Sequence, residues 1–203
     1  DTASFPFQIS AMSCDLTVSS GSSVQAAINK ARPGNTVCVQ NGIYEEKVNI
    51  STNSITLKNY PGHNPIIVPG YSSGNRVEIN ASRVTVEGFE IRGGYEGVKI
   101  YKPYATVRNN YIHDNKMAGI LIVSTNNSMI VGNEIELNGT CGKSCNKSGE
   151  QEVSPKNAHG IYISDYLCRG ANNNVIRNNV IKNHPGMGIN FNGSFCDTKI
   201  DGT

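Results

Sequence analysis

The sequence lacks the features that define several large classes of protein. No run of 18 consecutive apolar residues occurs, so no segment is predicted to cross a membrane as a helix. A strong charge of one sign is also missing, since the formal net charge of +2 is too mild to indicate nucleic-acid binding. Cys-x-x-Cys motifs, histidine pairs and clustered carboxylates are absent as well, which argues against zinc and calcium sites. We therefore expect no cofactor, no required metal and neither nucleic acid nor membrane as a partner.

The bulk composition is compatible with one domain of extended shape. The chain has 203 residues, enough for a sizeable core. Hydrophobic residues make up 37% of it, which is low for a compact globule but natural for a solenoid with a wet outer face. The chain opens at Asp1 without a methionine or a visible signal peptide. This start leads us to expect a mature, processed and secreted product.

A short apolar phrase that opens with glycine recurs four times. Its copies are Gly97-Val98-Lys99-Ile100, Gly119-Ile120-Leu121-Ile122, Gly160-Ile161-Tyr162-Ile163 and Gly188-Ile189-Asn190-Phe191. A second apolar phrase precedes each copy, and its first residues are spaced by 21 (Val86 to Val107), 23 (Val107 to Ile130) and 46 (Ile130 to Ile176) residues. We interpret the last interval as two turns of the same period with an insertion. A period in the low twenties, made of short strands and turns, predicts an all-β solenoid.

The same periodicity predicts how the domain is organised. We expect a single domain over residues 1–203, with an N-terminal cap over 1–40 and a polar loop insertion over 139–158. A short amphipathic helix is predicted at Ser23–Ala31, where it would cover the open end of the stack. Asparagines recur at equivalent positions of successive coils and are expected to form an inward ladder. They are Asn110, Asn133 and Asn179.

The six cysteines indicate an oxidising compartment. Cys168 and Cys196 each lie five residues after an equivalent apolar residue, so their sulfur atoms should lie one strand apart, within disulfide reach. Cys141 and Cys145 fall together in the insertion, which leaves two cysteines for the cap. The predicted disulfides are Cys14–Cys38, Cys141–Cys145 and Cys168–Cys196.

Strand alternation predicts which side chains of the glycine-led strands face outward. One outward column should contain Lys99, Leu121, Tyr162 and Asn190, and a second should contain Tyr101, Val123, Ser164 and Asn192. The groups expected around these columns are mostly basic, amide or phenolic: Lys99, Lys102, Lys116, Lys156, His159, Tyr162, Arg169, Asn190, Asn192 and Lys199. Such a floor suits an anionic polymer. Asp165 and Asp197 are the acidic residues expected there, and they are the candidate pair for the hydrolysis that two carboxylates catalyse.

Elimination on a uronate polymer requires a different set of groups. One group neutralises the C6 carboxylate, a base removes the C5 proton, and an acid protonates the leaving O4. We predict Lys199 as the base and Tyr162 as the acid. His159, Arg169 or Asn190 would neutralise the carboxylate, and Lys99, Asn192 and Lys156 complete the predicted substrate-binding set.

Three stretches carry a family resemblance: residues 157–164, residues 174–181 with 188–191, and the segment from Val24 to Tyr44. They resemble right-handed parallel β-helix proteins of the pectate-lyase-like superfamily, whose fold and N-terminal cap they imply. Within that group the chain looks most like a small secreted alginate lyase of polysaccharide lyase family thirty-one. The resemblance implies a metal-independent, endolytic lyase, with Tyr162 and Lys199 at the matching positions.

Two other functions remain open at this point. The favoured prediction is an alginate lyase. The alternatives are a pectate lyase or hydrolase on the same fold, and a carbohydrate-binding β-helix without activity. The calcium-binding aspartates of pectate lyases have no clear counterparts here, which disfavours polygalacturonate as the substrate.

Overall fold

The structure, a computed structural model, describes residues 13–69, 74–139, 158–165 and 170–193. Within these ranges the chain forms one short helix and nineteen short strands. After the first strand and the helix, the strands recur in threes, and every third strand joins the same parallel sheet. The chain therefore winds as a parallel β-helix of six coils with three faces, and the predicted all-β solenoid is confirmed.

Each face of the solenoid is one sheet. Sheet A contains β1 (Leu16–Val18), β2 (Thr36–Val39), β5 (Thr56–Asn59), β8 (Thr85–Glu87), β11 (Thr106–Arg108), β14 (Met129–Val131) and β17 (Val175–Arg177). Sheet B contains β3 (Ile43–Glu45), β6 (Ile66–Val68), β9 (Glu90–Arg92), β12 (Tyr111–His113), β15 (Glu134–Glu136) and β18 (Val180–Lys182). Sheet C contains β4 (Val48–Ile50), β7 (Val77–Ile79), β10 (Val98–Ile100), β13 (Ala118–Val123), β16 (His159–Ser164) and β19 (Ile189–Asn192).

The core is a set of aliphatic columns that run through the coils. In sheet A, for example, Val86 pairs in register with Val107, which pairs with Ile130, and all three are fully buried. Burying one such side chain contributes about 1.5–3 kcal/mol. Because alternate residues of a strand face opposite ways, this packing also determines which side chains point outward.

Helix α1 (Val24–Lys30) closes the N-terminal end of the solenoid, as predicted for the cap. Ser23 caps the helix by accepting a hydrogen bond from the Ala26 amide, and Val24 and Ile28 are buried. The helix contacts β1, β2 and β4, the first strands of sheets A and C. The predicted disulfide between Cys14 and Cys38 is present and joins the segment before β1 to β2.

The interpretation of the 46-residue interval as two turns is wrong. Ile130 of β14 pairs directly with Ile176 of β17, so the interval is a single coil. Its extra length lies largely between Glu136 and His159, where the preceding coil connects His113 to Ala118. Spacing alone could not separate these readings, because one long coil and two short ones give the same interval.

The predicted asparagine ladder is confirmed at the corner between sheets A and B. Asn133 accepts hydrogen bonds from the Asn110 amide group and backbone, and it donates to Asn179 Oδ1. A second ladder, which was not predicted from the sequence, lies at the corner between sheets B and C. Asn115 donates to Asn138, and the Asn138 N–H donates to Nδ1 of His184, which takes the third position.

The glycine that opens each of the first three repeated phrases is required by close packing between coils. A Cβ atom on Gly119 would lie 2.6 Å from Ile135 Cγ2 and 2.8 Å from the Gly160 carbonyl oxygen. Gly97 and Gly160 are equally crowded by the coil that follows each of them. At Gly188, in the last described coil, the nearest atom would be 3.5 Å away, an ordinary contact.

We therefore expect Gly119→Ala to destabilise the protein and Gly188→Ala to be tolerated. Overpacking at Gly119 should cost about 2–3 kcal/mol, which lowers Tm by roughly 5–10 °C in a chain of this size. Gly188→Ala, the matched control, makes the same chemical change at the equivalent position. Thermal denaturation compares the two proteins, and equal losses would contradict the packing explanation.

His184 should make stability depend on pH. Burial lowers the pKa of His184 below its ordinary value of 6.5, although hydrogen bonds with Asn138 and Ile135 oppose the shift. A base with a lowered pKa in the folded state stabilises above its unfolded pKa, and that contribution is lost as the pH falls from 6.5 through the lower pKa of the folded state. We expect Tm to fall less below pH 6.5 in the His184→Asn protein than in the wild type, because asparagine can keep the ladder without a titrating ring. An equal fall in both proteins would contradict the assignment.

Candidate active site

The outer face of sheet C carries the first predicted outward column in the predicted order. Lys99 pairs in register with Leu121, Leu121 with Tyr162, and Tyr162 with Asn190. Glu78 of β7 precedes Lys99 in this column. Strands in a sheet lie about 4.8 Å apart, so Tyr162 and Asn190 are immediate neighbours, whereas Lys99 is two strands from Tyr162.

An apolar strand divides this face into two polar groups. Leu121 and Val123 of β13 lie in the outward columns, yet they are only 5% and 3% exposed. Ala118 of the same strand is fully buried. The polar side chains of β16 and β19 therefore lie on one side of β13, and those near β7 and β10 lie on the other.

Four predicted residues form a connected cluster on β16 and β19. Asn192 donates a hydrogen bond to the Tyr162 phenolic oxygen over 3.0 Å. The ring centroids of Tyr162 and His159 are 5.2 Å apart, and His159 Nε2 lies 2.9 Å from the Asn190 side-chain amide. The structure thus brings Tyr162, His159, Asn190 and Asn192 together.

His159 contacts β19 and the segment before it through both ring nitrogens. The Met187 N–H donates to His159 Nδ1 over 3.2 Å. Nδ2 of Asn190 lies 2.9 Å from His159 Nε2. His159 therefore helps to position the Asn190 side chain, and its role at the substrate carboxylate stays a prediction.

The setting of Tyr162 suits a proton donor. Its side chain is half-buried, and its oxygen already accepts the hydrogen bond from Asn192. The phenolic proton is then free to point away from Asn192, toward a group bound over the sheet. Because the phenol ring packs against the ring of His159 on the same strand, its orientation is restricted.

Several predicted site residues lie outside the described residues. They are Lys156, Arg169, Asp197 and Lys199, together with Cys141, Cys145, Cys168 and Cys196. The pairing of Tyr162 with Lys199 and the two disulfides formed by these cysteines stay predictions. Asp165 is described and is fully buried at the end of β16.

A second polar group surrounds Lys99 on the far side of β13. Lys99 Nζ lies 3.7 Å from Glu96 Oε1 and 5.4 Å from the centroid of the Tyr101 ring. Glu78, in the same column as Lys99, accepts a salt bridge from Lys47 at 2.9 Å. The expectation that Asp165 and Asp197 are the acidic residues of this face is therefore wrong, because Glu78 and Glu96 also lie there.

A signal for Glu96 was present in the repeats. Glu96 stands two residues before Val98, and His159 stands two residues before Ile161, the equivalent position two coils later. Applying the same offset to every copy of the glycine-led phrase predicts Glu96 at the outer face of sheet C. Two of the other lysines predicted near the floor are described: Lys102 is exposed, and Lys116 lies over the ring of Tyr95 at 5.9 Å.

A cleft of about 560 Å³ lies elsewhere, at the corner between sheets A and B. It is lined by Asn59, Asn64, Glu87, Gly88, Phe89, Glu90, Asn109 and Tyr111. Glu87 is already paired with Arg108 and accepts a hydrogen bond from Asn109. Because Glu87 already has these partners, this cleft is a weaker candidate than the face of sheet C, despite its size.

Two features are absent from residues 13–69, 74–139, 158–165 and 170–193. No group of three or more His, Cys, Asp or Glu side chains in these ranges is arranged to hold a metal ion. None of their helices has the length and apolar character needed to cross a bilayer.

The fold and the polar face of sheet C define a solenoid of parallel β-strands with a candidate site on one outer sheet. The chain belongs to the right-handed β-helix family, described as "Right handed beta helix region", whose profile matches residues 9–150 and 48–203. The coils are accordingly right-handed, as the resemblance implied. A search of curated proteins finds no match.

One solved structure supports the same fold. The chain is similar to the crystal structure of an alginate lyase from Paenibacillus sp. str. FPU-7, with a TM-score of 0.61 and 16% sequence identity. The alignment covers 87% of this chain and 58% of that one, so this chain spans less than two thirds of its structural relative. At this identity the likeness demonstrates the shared fold and nothing further about function.

Proposed function

We propose that this protein is a secreted polysaccharide lyase that cleaves alginate within the chain by β-elimination. The observation that carries the proposal is the cluster on β16 and β19, where a half-buried tyrosine and an oriented asparagine face the same side of a flat sheet. A parallel sheet offers a long floor on which a linear polymer can lie across several coils.

Each chemical role in the elimination has a candidate. The Asn190 side-chain amide, whose Nδ2 also contacts His159, donates to the C6 carboxylate and makes the C5 proton more acidic. The Lys199 amine removes that proton, and the electron pair left on C5 forms the C4=C5 double bond. The C4–O4 bond breaks as Tyr162 donates its proton to O4. The products are an unsaturated uronate end and a new reducing end.

An anionic uronate polymer fits the charges better than a neutral glycan. The predicted floor residues include Lys99 on the same face and lysines and an arginine among the residues beyond the described ranges. The structural relative is named as an alginate lyase, and alginate is such a polymer. The Cys14–Cys38 disulfide fits an oxidising, extracellular location.

Hydrolysis by two carboxylates is less well supported. Glu96 is 1% exposed, so its carboxylate has little access to a sugar bound on the surface. Glu78 is held in a salt bridge with Lys47 and accepts a hydrogen bond from Asn75. Neither carboxylate is placed to take a proton from water or give one to a glycosidic oxygen.

The test is incubation of the purified protein with alginate, pectate and hyaluronan, followed by ultraviolet absorbance of the unsaturated uronate. We expect absorbance to rise with alginate and to persist in the presence of a chelator. A rise with pectate alone would mean that the substrate is polygalacturonate and not alginate. Binding of alginate with no product at all would indicate a carbohydrate-binding β-helix and would contradict the enzyme proposal.

A further inference from the structure

Two pairs of polar side chains occupy equivalent positions on two strands of sheet C. His159 and Tyr162 on β16 correspond in register to Ala118 and Leu121 on β13. One strand further, the same offsets hold Glu96 and Lys99. The separation between Lys99 and Tyr162 is two strand spacings, about 10 Å.

The Lys99 ammonium is held by a carboxylate that is almost wholly buried. The Glu96 side chain is 2% exposed and that of Lys99 is 20% exposed. Glu96 Oε1 faces Lys99 Nζ at 3.7 Å, whereas no hydrogen bond within the described ranges reaches the buried Oε2. Burial raises the pKa of Glu96, against the attraction of Lys99. A buried carboxylate with one oxygen that makes no hydrogen bond is costly for the fold. Its position beneath Lys99 suggests that it serves the lysine and not the stability of the protein.

We propose that Lys99, supported by Glu96, is a second binding position for the polymer and contacts the carboxylate of the uronate two residues away from the sugar held at Tyr162. This inference rests on the proposed lyase function. Glu96 acts here as a positioning residue, since it contacts Lys99 and not the substrate.

The spacing of the polymer matches the spacing of the sheet. A 1→4-linked pyranose advances the chain by a length close to one strand spacing, and every residue of a polyuronate carries a carboxylate. A sugar above β13 meets only Leu121 and Val123 in the outward columns, so its carboxylate meets no cation there. The next carboxylate along lies within reach of Lys99, which Tyr101 flanks.

The test compares substrates of different length. The measured quantity is the ratio of kcat/KM for a uronate octamer to that for a dimer, which is too short to cover both the Tyr162 position and the one two residues away. Lys99→Met alone would leave the Glu96 charge buried without its partner, so the informative variant is the double substitution Glu96→Gln with Lys99→Met. We expect the ratio to fall about tenfold, the effect of losing one charge-assisted contact, mainly through a higher KM for the octamer.

Two further variants separate binding from structure. Glu96→Gln alone keeps the lysine and removes the competing negative charge, so the ratio should stay at or above the wild-type value. Lys182→Met removes one positive charge from sheet B, where Lys182 pairs with Glu134, and should leave the ratio unchanged. A double variant that folds and keeps the wild-type ratio overturns this inference while the proposed function stands. A wild-type protein that forms no unsaturated product overturns both.

Discussion

The Tyr162→Phe protein should fold normally and lose nearly all activity. The substitution removes only the phenolic oxygen, and with it the proton that leaves for O4 in the proposed elimination. Loss of a general acid typically slows a reaction about 100- to 10,000-fold. The ring that packs against His159 is kept, and the one hydrogen bond lost, from Asn192, lies at the surface. Initial rates of ultraviolet absorbance on alginate measure the loss, and thermal denaturation should give a Tm close to the wild-type value.

The matched control is Tyr104→Phe, which removes the same atom from an exposed tyrosine in the turn after β10. Tyr104 is 50% exposed and stacks with Arg83. The Tyr104→Phe protein should cleave alginate at the wild-type rate. If Tyr162→Phe retains a near-wild-type rate, the acid has been assigned to the wrong residue. If both variants lose activity together, the measured loss does not report the chemistry of Tyr162.

Asn133→Ala should cause the largest loss of stability among the substitutions considered. Asn133 is 1% exposed and donates to the Val107 carbonyl and to Asn179. It also accepts from both the backbone and the side chain of Asn110. Alanine leaves these buried groups without partners, and each costs about 1–3 kcal/mol. We expect a loss of about 3–5 kcal/mol in the free energy of unfolding, which lowers Tm by roughly 10 °C or more.

The control for this prediction is Asn172→Ala, at an exposed asparagine in the turn before β17. It removes the same side chain where water satisfies the amide, so the change should be within about 0.5 kcal/mol. Urea denaturation of the three proteins gives the comparison. A loss at Asn133 no larger than that at Asn172 would mean that the ladder does not stabilise the coils.

Much of the fold could be predicted because a solenoid repeats its local environment. The spacing of Val86, Val107 and Ile130 determines the register, and the register places every residue of the glycine-led phrases in a column. The interval from Ile130 to Ile176 was misread because a loop within one coil adds residues without adding a strand. The second ladder was missed because its third member is His184, whose ring nitrogens take the place of an asparagine amide.

The candidate site could be predicted only where it follows the strands. Tyr162, Asn190 and Asn192 were assigned from alternation alone, and the structure brings them into one hydrogen-bonded cluster with His159. Glu96 was missed because it lies in a turn outside the apolar phrase, where no alternation applies. The contacts of His159 could not be predicted either, since one of them is with the Met187 backbone amide in a turn of the next coil.

The central claim is that the face of sheet C cleaves a uronate polymer by elimination. Its most direct test counts two products in one alginate digest: unsaturated ends, by ultraviolet absorbance, and new reducing ends, by a reducing-sugar assay. Every bond broken by elimination creates one of each, so we predict equal numbers throughout the digest and neither product with Tyr162→Phe. Reducing ends that accumulate without unsaturated ends would show hydrolysis and contradict the account.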